Sequence, residues 1–114
     1  MRRIEDLDVY KYAYDLTIHI YETTKVFPSD ERFGLVSQMR RASVSICANM
    51  SEGGSRLSKG EQKQFLGIAR GSAAELRLHV KLSRDLGFIN TAVADNIINK
   101  MDIIHKMLTG LINK

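Results

Sequence analysis

Lys63, Arg70, Arg77 and Arg84 recur every seven residues, with Arg56 one heptad earlier and Lys81 four residues after Arg77. A helix drifts only about 20° per heptad, so these cations fall on one line, roughly opposite the expected core line Phe65, Ala69, Ser72 and Leu76. A stripe of one sign suits a polyanion, whose phosphates gain from each lysine or arginine they meet. A solvated helix face ordinarily mixes signs at i,i+4 spacing. The chain carries a formal net charge of +4 and a pI near 9.4, unevenly placed. Residues 5–25 hold five acids and two bases, whereas residues 56–85 hold seven bases and three acids. Two further cations, Arg40 and Arg41, stand side by side in QMRRASVSICANMSEGG. At about 100° per residue, Leu35, Met39, Ala42, Ile46 and Met50 gather on one side of a helix, Arg40 lies on its flank and Arg41 points away. Arg40 is therefore placed to pair with a carboxylate across a helix contact, for which Glu75 is the candidate, and Arg41 to meet solvent, a neighbouring subunit or phosphate. The expected phosphate contacts are Arg41, Arg56, Lys63, Arg70, Arg77 and Arg84. No aromatic residues alternate with them along the helix, so base stacking is not provided and readout of RNA or DNA should depend weakly on sequence.

Catalytic constellations are missing from the sequence. His19, His79 and His105 fall on three different elements, none in an H-x-x-x-H pair, and no Glu-x-x-His of the di-iron kind occurs. His79 falls on the apolar side of its helix, where a core histidine is the ordinary reading. The Gly53-Gly54-Ser55-Arg56 stretch lacks the G-x-x-x-x-G-K-[ST] spacing and follows no strand, so it reads as a flexible interhelical turn. Cys47 is the only cysteine and reads as a small buried apolar residue. No catalytic residue, metal site or cofactor is expected. Two function classes remain: a non-enzymatic scaffold that binds nucleic acid, and a protein-interaction module whose basic stripe serves solubility or an acidic partner.

The elements that position these residues are helical. The 114 residues are 44% hydrophobic and 26% charged, with one proline and no tryptophan. No run alternates apolar and polar residues as a half-buried strand would. One all-α domain spanning residues 1–114 is expected. A first helix covers about residues 7–26 and stops before Phe27-Pro28. Ser29 or Asp30 caps a second, which Gly53 and Gly54 end at about Ser51. Ser58-Lys59-Gly60-Glu61 has the form of a capping box, opening a third helix that reaches Leu86 with Gly87 as its left-handed terminator. A fourth opens after Asn90-Thr91. Short connections make antiparallel neighbours, an up-down-up-down four-helix bundle. No uncharged apolar run approaches the roughly 20 residues of a membrane span, so a cytoplasmic location is expected.

Apolar spacing bears on assembly. Ile97, Met101, Ile104, Leu108 and Leu111 step by four and three, a single seam. The first helix carries two stripes, Leu7, Tyr10, Tyr14 and Tyr21 on one line and Val9, Ala13, Leu16 and Ile20 on another. So wide an apolar arc either is a wide core face in a monomer or touches a second subunit; a homo-oligomer is expected, with the tyrosine-rich face as the candidate interface.

The segments FPSDERFGL, GLVSQMRRASVSICANMSEG, FLGIARGSAAEL and RDLGFI together resemble the four-helix-bundle family of proteins encoded in intervening sequences of bacterial large-subunit ribosomal RNA genes. The accessory protein of diversity-generating retroelements is similar in pattern. The resemblance runs from about Leu7 to Ile89. It implies a bundle that assembles into a ring-like homopentamer and, for the retroelement branch, binding of nucleic acid and of a reverse transcriptase. Arg40, Arg41, Asn49, Glu52, Gly53, Arg56, Arg70, Gly71 and Glu75 occupy the family's polar and glycine positions. The family's proline is replaced by Cys47, which implies a straighter second helix. Its aromatic-glycine pair is replaced by Gly54-Ser55, which implies a looser turn.

Overall fold

A computed structural model describes residues 3–114 of the chain. Four α-helices, α1 (Asp8–Thr24), α2 (Ser37–Gly54), α3 (Lys59–Asp85) and α4 (Thr91–Ile112), form an antiparallel bundle 43 × 24 × 19 Å in extent. Among the described residues there is no strand. Both α1 and α3 pack against α2 and α4, so α1 and α3 stand diagonally. The core is one cluster drawn from all four helices: Val9, Ala13, Leu16 and Ile20 from α1, Met39, Ala42, Ile46 and Met50 from α2, Ala69, Ala73, Leu76 and Val80 from α3, and Ile97, Met101, Ile104 and Leu108 from α4. No helix among the described residues is long and apolar enough to cross a membrane.

The helix ends follow from local chemistry. Ser58 Oγ accepts the Glu61 N–H at 3.1 Å and opens α3, while Asn90 Oδ1 accepts the N–H of Ala92 at 2.7 Å and opens α4. Gly87, at φ +79°, takes the left-handed conformation that stops α3. Its N–H bonds to the Arg84 carbonyl at 3.0 Å and that of Phe88 to the Ser83 carbonyl at 2.9 Å, the paired bonds of a Schellman stop. Phe88 then lies with its ring centroid 5.8 Å from that of Phe27, tying the α3–α4 connection to the α1–α2 connection at one end of the bundle.

Two boundaries differ from the sequence reading. The second helix does not run unbroken from Ser29. A 3-10 turn (Ser29–Glu31) leads into a π-type turn (Arg32–Val36) in which Gly34 is non-helical, and regular α2 begins only at Ser37. The Glu31 carboxylate accepts the Leu35 N–H at 3.3 Å and holds this kink. The glycine pair does not end α2 at Ser51 either, because both glycines lie in its last turn. Their use is close approach rather than freedom: a Cβ on Gly53 would come 3.2 Å from Phe65 Cβ, and one on Gly54 2.7 Å from Ile4 Cγ2. Helix α2 is continuous across Cys47, as the missing proline implies.

Candidate interaction surfaces

The heptad of cations on α3 lies along its seam with α4. Arg84 NH1 reaches Asp95 at 3.0 Å, Arg77 Nε reaches Asp102 at 2.9 Å, and Arg70 NH1 donates to Thr109 Oγ1 at 3.4 Å. Asp95, Asp102 and Thr109 are themselves seven residues apart, so two antiparallel heptads run side by side as a ladder. Arg84 also meets Asp85 at 3.1 Å, and the hydrogen bonds it donates to Asp85 and then to Asp95 hold its pKa above the ordinary arginine value. The single-sign stripe expected from α3 alone is therefore a mixed-sign seam. The observed core line of α3, Ala69, Ala73, Leu76 and Val80, is turned towards these arginines from the expected line of Phe65, Ala69, Ser72 and Leu76, which brings them from the outer face to the α4 flank.

The remaining cations are dispersed. Arg56, in the α2–α3 connection, pairs with Glu52 at 3.1 Å and stacks 4.8 Å over the Phe65 ring. Lys63 is exposed and makes no ion pair among the described residues. Arg41 is also exposed and lines a shallow polar groove between α2 and α3 with Gln38, Ser45, Ser72 and Glu75. The structure thus does not bring the six expected phosphate contacts onto one free face.

Arg40 does not pair with Glu75. Its Nε donates to Thr24 Oγ1 at 3.0 Å, its NH2 to the Tyr21 carbonyl at 3.2 Å, and its guanidinium lies 4.7 Å over the Tyr21 ring. It therefore secures the last turn of α1 against α2. Glu75 stands on α3, across the other flank of α2, and its carboxylate instead lies 3.4 Å from His79 Nε2. Helical period placed Arg40 on a flank correctly but could not say which neighbour that flank faces. His79 is mostly buried, and its Nδ1 has no hydrogen-bond partner among the described residues. Among the described residues no three histidine, cysteine or acidic side chains gather as metal ligands.

Among the described residues, apolar side chains are left uncovered on both α1 and α3. On α1, the Val9, Ala13, Leu16 and Ile20 line is core, whereas Tyr14, Ile18 and Tyr21 are exposed. Tyr14 and Val44 of α2 border one cleft there, so the surface extends onto α2. On α3, Ile68, Leu78, Leu82 and Leu86 are exposed on the outer side, a second apolar line the sequence reading missed. Its signal was the helical spacing of 78, 82 and 86, hidden because the same helix carries a full core line besides.

An antiparallel four-helix bundle with seams of ordinary packing and apolar faces left open is the class of protein that fold and surface define. The chain belongs to the 23S rRNA-intervening sequence protein family, whose model matches residues 5–110. Among solved structures it is similar to a protein of unknown function from the S23 ribosomal protein family of Bacteroides thetaiotaomicron VPI-5482. That likeness has a TM-score of 0.84 at 23% identity over 93% of this chain and 99% of the other, and it shows the fold. No curated protein matches the chain.

Proposed function

We propose that this protein is a non-catalytic, self-associating bundle that serves as an oligomeric scaffold. The observation that carries the reading is the pair of unlike apolar faces, Tyr14, Ile18 and Tyr21 on α1 and Ile68, Leu78, Leu82 and Leu86 on α3, which stand on diagonal helices. Full burial of a side chain of this size is favourable by about 1.5–3 kcal/mol, and these, about half exposed, forgo part of it, which association recovers. Unlike faces on opposite sides make a head-to-tail contact, and such contacts close into rings when the rotation allows. Five copies is the number the family resemblance implies. Light scattering at micromolar protein should give a mass several times the 12.9 kDa of one chain. The Leu78→Asp, Leu82→Asp double variant should fall towards one chain while keeping its helical circular dichroism. A 12.9 kDa particle for the unmodified protein would refute the reading.

A second reading is binding of RNA or DNA, favoured by the net charge of +4 and by Arg41 and Lys63 being exposed without ion partners. Arg77 and Arg84 would first have to exchange carboxylates for phosphate, a small cost because solvent-screened ion pairs are weak. Repetition of the cations around an oligomer would raise modest single-site affinity. Arg41→Glu with Lys63→Glu should then flatten the salt dependence of binding to unrelated sequences by about one unit of slope per lost contact. Absence of binding at low salt would leave a scaffold for protein partners, a reverse transcriptase among those the resemblance implies.

A further inference from the structure

Phe33 projects from the α1–α2 connection with 89% of its surface exposed. Its position is built rather than loose. The ring stands within the π-type turn, Gly34 departs from helical geometry at φ −104° and ψ −111°, and the Glu31 carboxylate ties the turn to the Leu35 N–H. A Cβ on Gly34 would come 2.9 Å from Glu31 Oε2, so glycine lets that carboxylate close over the turn. Arg32 lies over the ring, its guanidinium 5.6 Å from the centroid, and makes no ion pair among the described residues. A solvent-facing phenylalanine on a tied turn, with a cation over its ring, is the form of an interface anchor.

The same end of the bundle carries a receptor for it. A cleft of about 390 Å³ opens between the end of α1 and the start of α4, walled by Val26, Phe88, Ile89 and Val93. Glu22 stands among its lining residues and makes no ion pair among the described residues. Phe33 of the same chain does not line this cleft.

We infer that Phe33 of one copy seats in this cleft of a neighbouring copy, with Arg32 facing Glu22. The inference rests on the self-association proposed above and names one contact of it. Knob and cleft are different surfaces of one chain, so their union is head-to-tail and repeats around a ring. Both lie at the end where α1 stops and α4 begins, so copies standing with their long axes parallel bring them to the same level. The charges of Arg32 and Glu22 are complementary. A phenylalanine buries about 150–250 Å² when enclosed, the largest single gain available at this end of the molecule.

Sedimentation velocity across a dilution series of the full chain tests it. Phe33→Asp should raise the concentration at which the assembly dissociates at least tenfold. Arg32→Glu and Glu22→Arg should each weaken assembly, and the two together should restore it, a recovery that misfolding of the single variants would not produce. Assembly unchanged by Phe33→Asp, or a double reversal no better than either single one, would overturn the inference. If Leu78→Asp with Leu82→Asp dissociates the protein while Phe33→Asp does not, the knob fails and self-association stands. An unmodified protein that is monomeric throughout the series removes both.

Discussion

Replacing Arg40 with methionine keeps much of the apolar stem and removes the guanidinium. The change takes away the hydrogen bond to Thr24 Oγ1 at 3.0 Å, the one to the Tyr21 carbonyl at 3.2 Å, and the stack 4.7 Å over the Tyr21 ring. Hydrogen bonds to charged groups contribute about 1.5–3 kcal/mol, and an exposed cation–ring contact about 0.5–1 kcal/mol. These do not add in full, because one guanidinium makes all three and its contact with the Tyr21 carbonyl is open to solvent. The Thr24 hydroxyl is buried but is not orphaned, since it still donates to the Ile20 carbonyl at 2.8 Å. A net loss of about 1.5–2.5 kcal/mol follows, which at about 4 °C per kcal/mol for a chain of this length lowers the melting midpoint by about 6–10 °C. Thermal unfolding followed by circular dichroism reads this directly, at one fixed chain concentration because association also moves the midpoint. Glu75→Gln is the control: among the described residues its exposed carboxylate meets only His79, at 3.4 Å, so its effect should stay within about 0.5 kcal/mol. Equal losses for the two variants would mean that Arg40 and Glu75 act as a pair, and a loss below about 0.5 kcal/mol for Arg40→Met would mean the α1 contacts contribute nothing.

The Arg77–Asp102 pair is 42% and 53% exposed at its two side chains, so a double-mutant cycle to alanine should give a coupling of about 0.2–1 kcal/mol that shrinks as salt rises. A coupling of zero at low salt would remove that rung from the ladder. Burial raises the Cys47 thiol pKa, against a weaker opposing effect of the Thr17 hydroxyl 3.8 Å away. The folded chain then holds this proton more tightly than the unfolded chain. Its contribution is complete below the unfolded thiol value and is lost as pH rises through the folded one. Urea titrations from about pH 7 to 10 should therefore show stability falling less steeply in Cys47→Ala than in the unmodified protein, and identical slopes would contradict the burial effect.

Much of this molecule is written in short stretches of sequence. The Ser58 cap, the Gly87 stop and the four-and-three stepping of Ile97, Met101, Ile104 and Leu108 depend on contacts within a few residues or on the helical period, and all are present in the structure. Periodicity also separated the core line of α1 from its tyrosine line. The glycine pair was not legible in the same way, because glycine marks either a free turn or a close approach, and only the position of Phe65 and Ile4 shows that Gly53 and Gly54 serve the second. The kink at Gly34 depends on the Glu31 carboxylate finding the Leu35 N–H, which no spacing rule announces.

The cations show the deeper division. Sequence fixes the angle of a side chain about its own helix axis, but the direction of the neighbouring helices is settled by how four core lines pack together. Arg70, Arg77 and Arg84 formed one line in either case. Packing turned that line towards Asp95, Asp102 and Thr109, and turned Arg40 towards Thr24 rather than Glu75. The apolar residues divide likewise, since Leu76 and Leu78 are the same residue type two positions apart. Helical period put Leu76 on the core line, but only the assembled bundle, with room in its centre for one face of α3, shows that Leu78 is left exposed.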